Sequence, residues 1–426
     1  MHHFHYVNGN LYCENVPVER ICEALGTPVY IYSRGTLERH FRIFREPFSG
    51  VDHLLCYSMK ANSNLAILRI FANLGGGVDI VSGGELYRAL EAGISPSTIV
   101  YSGVGKRASE MDEALAADIL MFNVESEQEL LLLDSRARAA EKKARTALRV
   151  NPDVDPNTHP YISTGLKKNK FGIDVPRSLE IYRKAGELKG IDLIGLDCHI
   201  GSQLTDIAPF LEAVACLREL ILRLREEGTE VRFLDIGGGL GIPYDEEEPP
   251  APAEYGAAIV KQISDMRVTL ILEPGRVLVG NAGILVARVL FRKERPEKNF
   301  VIVDTAMNDL IRPSLYDAHH SIWRVHREED AGTPRKRIVA DLVGPICESG
   351  DFLARGREMD AVEPGELLAL MSAGAYGFSM SSNYNSRTRP PEVLVDGDEF
   401  YVIRDRETYS DLIRGERIPP SILPAM

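Results

Sequence analysis

The segment "HLLCYSMKANSNLAILRIFANLGGGVDIVS", residues 53–82, contains one complete strand–helix–strand unit. Residues 53–58 are apolar and β-rich, residues 65–74 place apolar side chains at three- and four-residue intervals, and residues 78–82 begin a second β-rich run. Lys60 stands where the first strand meets the turn. It is either an ordinary surface cation or a residue that the fold has placed to react. The alternation continues outward from this unit. Further β-rich runs lie at 98–103, 118–124, 146–151, 193–200, 231–237 and 268–274, and helical spacing recurs at 84–93 and 210–228. Eight strands alternating with helices predict parallel pairing, and eight is the number at which such a sheet closes into a (β/α)8, TIM-type barrel. Lys60, Asp79, His199, Gly237–Gly239 and Glu273 all fall at or just after the C-terminal ends of these runs. In a closed barrel that is the face where active sites lie.

Beyond residue 282 the texture changes to strand-like runs at 283–293, 299–305, 335–344, 365–376, 392–398 and 399–405, with turn residues between them. The expected class is therefore α/β plus all-β. Residues 36–282 form the barrel, and 283–426 form a C-terminal β-sandwich or β-barrel domain. Residues 1–35 pack with that β domain and lend it the strand in "TPVYIYS", 27–33. The acidic, proline-rich stretch "YDEEEPPAPAEY", 244–255, reads as a solvated loop.

Composition narrows the function. A chain of 426 residues, 44% hydrophobic, is long enough for two domains with substantial cores. Its 49 basic and 62 acidic residues give a net charge of −13, which disfavours nucleic acid or an anionic membrane as partner. The six cysteines (13, 22, 56, 198, 216 and 347) contain no CxxC pair and read as reduced thiols of a cytoplasmic protein. The apolar stretch 268–291 is interrupted by Glu273, Arg276 and Arg288, so no membrane span is expected. The opening "MHHFHYVNGN" has no apolar core or cleavage site, so no secretory signal is expected. Its histidines 2, 3 and 5 are not expected to bind metal.

Four local patterns carry chemistry. "DIGGGLGIPY", 235–244, follows a strand, and its glycines allow backbone N–H groups to approach an anion. It lacks the Lys-Ser/Thr of a nucleoside-triphosphate loop. "ILEPGRVLV", 271–279, supplies the Glu273 carboxylate for a positive charge such as a protonated ring nitrogen, and the Arg276 fork for carboxylate or phosphate. Taken alone, the pair is equally an ion pair at a turn. "DCHIGSQ", 197–203, offers the flat face of His199 and the hydroxyl of Ser202, although a lone strand-end histidine is more often structural. Lys60 becomes nucleophilic where desolvation or a neighbouring cation favours its neutral form. Together these four are what pyridoxal 5′-phosphate requires. A rival exists in "SGVGKRA", 102–108, which matches a dinucleotide fingerprint, with an acidic residue at Glu125. That fingerprint normally opens the first strand–helix unit of its domain, and here two units precede it.

The motifs "YSMKAN" 57–62, "HIGSQ" 199–203, "DIGGGLGIPY" 235–244 and "EPGR" 273–276 stand in an order that resembles the fold-type III pyridoxal-phosphate-dependent decarboxylases, relatives of the ornithine and arginine enzymes. "HPYISTGLKKNKFGI" 159–173, "LIRPSLYDAHH" 310–320, "GPICESGD" 344–351 and "YGFSMSSNYNSRTRPPEVLV" 376–395 are similar to the branch that acts on meso-diaminopimelate. The resemblance implies a carboxy-lyase converting meso-2,6-diaminoheptanedioate to L-lysine and CO2, the last step of lysine biosynthesis. It implies that Lys60 carries the cofactor as an imine, that His199 stacks on its ring and that Glu273 pairs with the ring nitrogen. Asp79 supports the ring side of the pocket. Ser202, Gly238, Gly239 and the backbone of Pro274 and Gly275 hold the phosphate, and Arg276 and Tyr376 reach cofactor or substrate. Arg312, Tyr316 and Glu348, with Arg276, grip the end of the substrate that does not react, and Cys347 returns the proton. In the family, Cys347 and Glu348 enter the pocket of the neighbouring subunit, which implies a homodimer with shared sites.

Overall fold

The computed structural model describes residues 2–155, 158–159, 162, 164–165, 169–327 and 335–422. Residues 160, 161, 163 and 166–168 of the quoted segment 159–173 therefore lie outside the described residues. The chain divides into two units, the first comprising chiefly Arg34–Ala282 with Gly374–Ser379. Its eight strands are His53–Ser58, Gly77–Ile80, Ile99–Tyr101, Met121–Val124, Ala144–Asn151, Ile191–Asp197, Phe233–Asp235 and Thr269–Leu272. All pair in parallel, and the eighth returns to the first with Leu270 opposite His53, closing the barrel. A two-residue strand, Ile173–Asp174, adds to the fifth.

The barrel interior is a packed cluster of Cys56, Val100, Met121, Ala147, Ile194 and Ile271, flanked by Leu54, Leu120 and Phe233. Small side chains let the strands close around one another. A Cβ on Gly77 would stand 2.0 Å from the carbonyl oxygen of Thr98. After the first, second and fourth strands a polar side chain caps the next helix. Asn64 accepts from the Ala66 amide at 3.0 Å, starting Leu65–Asn73. Ser82 and Ser126 each accept from the amide three residues on at 3.2 Å, starting Gly83–Glu91 and Glu127–Ala139. Ala208–Glu226 is the long amphipathic helix expected at 210–228. The acidic stretch 244–255 is a loop only in its first part. Pro252, within the first turn, opens the helix Pro252–Ile263, and Tyr255 is buried on it, edge-on to Phe210 at 5.0 Å.

The second unit comprises His3–Ser33, Gly283–Ala373 and Met380–Met426. Its main sheet runs Ala354–Asp360, Arg337–Val343, Asn299–Val303, Gly283–Lys293, Val29–Ser33, Glu392–Asp396, Glu399–Arg404, with Leu367–Leu370 and Ile322–Arg324 attached. Val29–Ser33 pairs antiparallel with Gly283–Lys293 and parallel with Glu392–Asp396, as "TPVYIYS" predicts. Ile31, Ile284, Val286, Val393 and Val395 are fully buried around it. Two sheet strands and an N-terminal sheet were not anticipated. Ala354–Asp360 is the charged run "ARGREMD" at a sheet edge, where apolar alternation is not required, and Ile322–Arg324 has only three residues. The residues around the N-terminal histidines form the hairpin Phe4–Val7 with Asn10–Cys13, extended by Val16–Pro17. None of the six cysteines forms a disulfide, and Cys347 alone is exposed. Among the described residues no helix is long and apolar enough to cross a membrane.

Gly77→Ala is expected to lower unfolding free energy by about 1–3 kcal/mol, because its Cβ would overlap backbone rather than a mobile side chain. An unchanged denaturant midpoint would mean that the Pro96–Thr98 turn yields freely.

Candidate active site

At the C-terminal end of the barrel, each strand delivers a polar residue that its apolar stretch could not absorb. Lys60 lies in the single turn Met59–Ala61 after the first strand, half-buried, with Nζ 3.2 Å from Asp79 Oδ2. Asp79 is fully buried on the second strand, directly opposite Ser58 in register. Ser58 Oγ donates to Asp79 Oδ2 at 3.0 Å and lies 3.1 Å from the Glu273 carbonyl. Burial opposes the charge on Lys60, but Asp79, Tyr376 and Glu273 outweigh it and hold the ammonium above its ordinary pKa. This corrects the expectation of a lysine desolvated toward neutrality. Asp79, 3.2 Å away, is the chief group that keeps it charged.

Glu273 follows the eighth strand and is buried. Its carboxyl forms a close group with Asp197 and Asp235, all three within 4.8 Å of one another and all buried. Asp197 and Asp235 face each other in register on adjacent strands. Burial, reinforced by these like charges, pushes Asp235 up to about 8 and raises Asp197 and Glu273 well above the carboxylate range. Glu273 and Asp235 are therefore both held toward their protonated forms by burial and by each other's charge. Asn123 Nδ2 donates to Asp235 Oδ2 at 3.1 Å and lies 3.2 Å from Ser102 Oγ, which in turn is 3.4 Å from Glu273 Oε1. Arg149 lies 3.8 Å from Asp197 and is bonded to Glu125 at 2.8 Å. The trio is also the one group among the described residues spaced to share a metal ion.

His199 sits across the sixth loop and accepts the Gly238 N–H on Nδ1 at 3.2 Å. Burial, then the charges of Lys60 and Arg149, lower its pKa well below the usual value, so its imidazole is neutral. The glycine run turns between these groups at close quarters. A Cβ on Gly238 would lie 2.1 Å from the Glu273 carbonyl, and one on Gly237, at φ 65°, would lie 2.7 Å from His199 Nδ1. Arg276 is buried and donates to Ser202 Oγ at 3.0 Å and to Tyr244 OH at 2.8 Å, with its guanidinium 4.9 Å from the Tyr376 ring. Tyr376, at φ 55°, belongs to the segment that returns to the barrel unit. Its N–H donates to the Ala61 carbonyl at 2.8 Å, and Asn62 Nδ2 donates to Gly374 at 3.2 Å, so this segment is tied to the Lys60 turn.

Lys60, Asp79, His199, Ser202, Gly238, Gly239, Glu273, Pro274, Gly275, Arg276 and Tyr376 thus all belong to the barrel unit. Arg312, Tyr316, Cys347 and Glu348 belong to the β unit and are gathered within it. Arg312 and Tyr316 bound one short helix, and Ser314 between them donates to the Gly350 carbonyl at 2.6 Å, joining that helix to the 347–351 loop. Arg312 is buried, with Nη1 2.9 Å from His320 Nε2, while His320 Nδ1 lies 2.8 Å from the Met371 carbonyl. Because arginine can only donate, the His320 proton resides on Nδ1. Asp197, Asp235, Asn123, Arg149, Tyr244 and His320 escaped the sequence reading. The signal available for two of them was an aspartate closing each of two apolar runs, "LIGLD" and "VRFLD".

The dinucleotide reading fails on its own residues. Glu125 is occupied by Arg149 and by the amides of Gly103 at 3.1 Å and Gly172 at 3.2 Å. Lys106 is buried on Glu129 at 2.7 Å.

A half-buried lysine, a protonated carboxyl, a neutral imidazole and a glycine turn with no room for a Cβ fit pyridoxal phosphate. The pyridoxal-binding domain of the pyridoxal-dependent decarboxylases matches residues 34–280. Diaminopimelate decarboxylase of Aquifex aeolicus is 49% identical over 409 residues, 96% of either chain. That of Vibrio cholerae is 50% identical over 423 residues, 99% of this chain and 100% of the other. The solved diaminopimelate decarboxylase of M. jannaschii, in co-complex with L-lysine, superposes with a TM-score of 0.92 at 39% identity and covers 99% of each chain. The chain belongs to the pyridoxal-dependent decarboxylases, in the branch of the diaminopimelate decarboxylases.

Proposed function

We propose that this enzyme is a diaminopimelate decarboxylase, releasing CO2 from meso-2,6-diaminoheptanedioate to give L-lysine, as a cytoplasmic homodimer. The observation that carries the reading is Lys60, 3.2 Å from Asp79 and on the same barrel end as the buried Glu273 carboxyl. Bound pyridoxal phosphate supplies the electron sink for the pair left when CO2 departs. The chain's residues do the rest. Lys60 would hold the cofactor at its aldehyde carbon, and Asp79, 3.2 Å from the amine, would orient it and balance its charge. Glu273 would pair with the ring nitrogen and keep it protonated, with Asp235 and Asp197 beside it in the same buried group. His199, neutral and held on Nδ1 by Gly238, presents a ring face rather than a second cation. The turn around Gly238, with Ser202, Gly239, Pro274 and Gly275, takes the phosphate.

Specificity follows from buried guanidinium groups. Arg276 and Arg312, with Tyr316, Tyr376 and Glu348, receive the end of the substrate that does not react. An arginine out of water favours a carboxylate there and disfavours the amine of ornithine or lysine. Cys347, exposed in its own unit, returns the proton to carbon, serving the partner copy together with Glu348.

A CO2-release assay with added pyridoxal phosphate is expected to give turnover on meso-diaminopimelate and little on ornithine or arginine; preference for either of the latter would overturn the reading. Arg312→Ala is expected to weaken diaminopimelate binding by about 2–5 kcal/mol, and near-unchanged binding would remove the distal-carboxylate role. Cys347→Ala should bind cofactor normally but turn over at least about tenfold more slowly. Turnover at the wild-type rate would assign the proton to another group.

The carboxyl trio also sets a pH dependence for the cofactor-free protein. Asp235 and Glu273 keep protons in the fold that the unfolded chain releases near pH 4, so their contribution to stability is complete below that value. It is lost as pH rises through about 8, where Asp235 ionises in the fold. Asp235→Asn should flatten this fall by roughly 1–3 kcal/mol between pH 5 and 8. Parallel stability curves for the two proteins would mean that the trio holds no shared proton.

A further inference from the structure

We propose that Tyr384 and Asn385 are positioning residues for the reaction, a two-residue clamp that sets Glu348 and Cys347 respectively. The inference rests on the roles given above to Cys347 and Glu348.

Two adjacent residues hold two adjacent residues across 36 to 38 positions of chain. Tyr384 OH donates to Glu348 Oε2 at 2.8 Å. Asn385 Oδ1 accepts the backbone N–H of Cys347 at 3.0 Å. The clamp is itself anchored. Asn383 Nδ2 donates to the Arg387 carbonyl at 3.0 Å and to Glu407 Oε2 at 2.6 Å, and Glu407 also pairs with Arg389. On the other side of the 347–351 loop, the buried carboxyl of Asp351 accepts the amides of Ile346 and Met307, each at 2.8 Å. The loop is thus held from both flanks, leaving the side chains of Cys347 and Glu348 exposed at its tip.

A purely structural account does not explain this arrangement. Asn385 and Ser386 are both left-handed, at φ 55° and 54°, and Ser386 lacks the tolerance of asparagine for that region. Tyr384, Asn385, Cys347 and Glu348 are all exposed, where a hydrogen bond returns little stability. Strain of this kind persists where the surroundings over-determine it, characteristically at functional positions. What the two bonds accomplish is orientation. One fixes the carboxylate that would bind substrate, and the other fixes the backbone from which the thiol projects.

The two bonds predict separable defects in the cofactor-loaded enzyme. Tyr384→Phe removes only a hydroxyl and is expected to raise KM about fivefold while leaving kcat within twofold. Asn385→Ala is expected to lower kcat about tenfold with little change in KM, and Asn385→Asp, which keeps an oxygen acceptor, should restore most of it. When the bond to the carboxyl carbon breaks and CO2 leaves, the electron pair on carbon takes a proton, which in D2O is a deuteron. A correctly placed donor puts that deuteron on one face, so wild-type product carries it at a single stereochemical position by NMR. Asn385→Ala should give a mixture of both positions. Single-position labelling with wild-type kcat in Asn385→Ala, or wild-type KM in Tyr384→Phe, would overturn the corresponding half of the clamp. Iodoacetamide alkylation of Cys347, followed by mass spectrometry, reads the clamp without turnover. A wild-type alkylation rate in Asn385→Ala overturns the positioning of the thiol. A changed alkylation rate together with mixed labelling supports it, whereas a changed rate with single-position labelling and wild-type kcat shows that Asn385 holds the thiol without serving the reaction and overturns that half.

Discussion

Three carboxyl groups within 4.8 Å, all out of water, constrain everything at the open end of this barrel. Asp197 and Asp235 occupy facing positions in a parallel ladder, so neither can turn away without breaking the strand pairing that closes the barrel. Glu273 follows from the next strand. Full ionisation of all three would place like charges in a low-dielectric space with Arg149 as the neighbouring cation, and Arg149 is already engaged by Glu125. Protons resolve the conflict, and the fold is arranged to keep them. Burial raises the proton affinity of all three carboxyls, while Asn123 and Ser102 supply dipoles in place of water. The Glu273 carboxyl, proposed to meet the cofactor ring, is thus biased toward its protonated form by the fold itself.

The same crowding dictates the backbone of the following loops. The carbonyl of Glu273 lies where a side chain on Gly238 would have to go, so the seventh turn can pass only as glycine. That close passage brings the Gly238 N–H onto His199 and fixes which face of the imidazole the site presents. Tyr376 is held left-handed by its bond to Ala61, at the residue after Lys60. The turn that carries Lys60 is thus tied to a segment more than 300 residues away in sequence, which clusters with the barrel rather than with the β strands that surround it in the chain.

The barrel was readable because its strands are buried on both faces and so appear as continuous apolar runs, each interrupted where chemistry begins. Lys60, Asp79, His199 and Glu273 stood out as polar residues at those interruptions. Asp197 and Asp235 did not, since an aspartate closing an apolar run looks like a turn, and only register reveals that the two face each other. In the β unit, Ala354–Asp360 was missed because an edge strand with Arg355, Arg357 and Glu358 need not alternate. The N-terminal hairpin was missed because polar histidines masked the pattern of Phe4, Leu11 and Cys13, which are buried. His320 was quoted within a motif, yet its role depends on a bond to Met371, 51 residues on. The prediction of a solvated loop over 244–255 failed at its end, because proline was weighed as a breaker when, in a first turn, it starts a helix.

Lys60 and Lys106 both follow C-terminal strand ends of this barrel, and their surroundings differ in a way that favours Lys60 for the proposed chemistry. Lys106 donates to the Gly103 and Asn123 carbonyls and to Glu129 at 2.7–2.9 Å, which uses all three of its donors, and its side chain is 1% exposed. To react it would have to break three bonds and leave a buried carboxylate without its partner. Lys60 has one such partner, Asp79, at a longer 3.2 Å, and its side chain is 35% exposed. A carbonyl compound can reach it, and the charge lost from the amine leaves Asp79 still bonded to Ser58. The reactivity proposed for Lys60 rests less on a depressed pKa than on access and an incompletely satisfied ammonium, both set by the turn that follows the first strand.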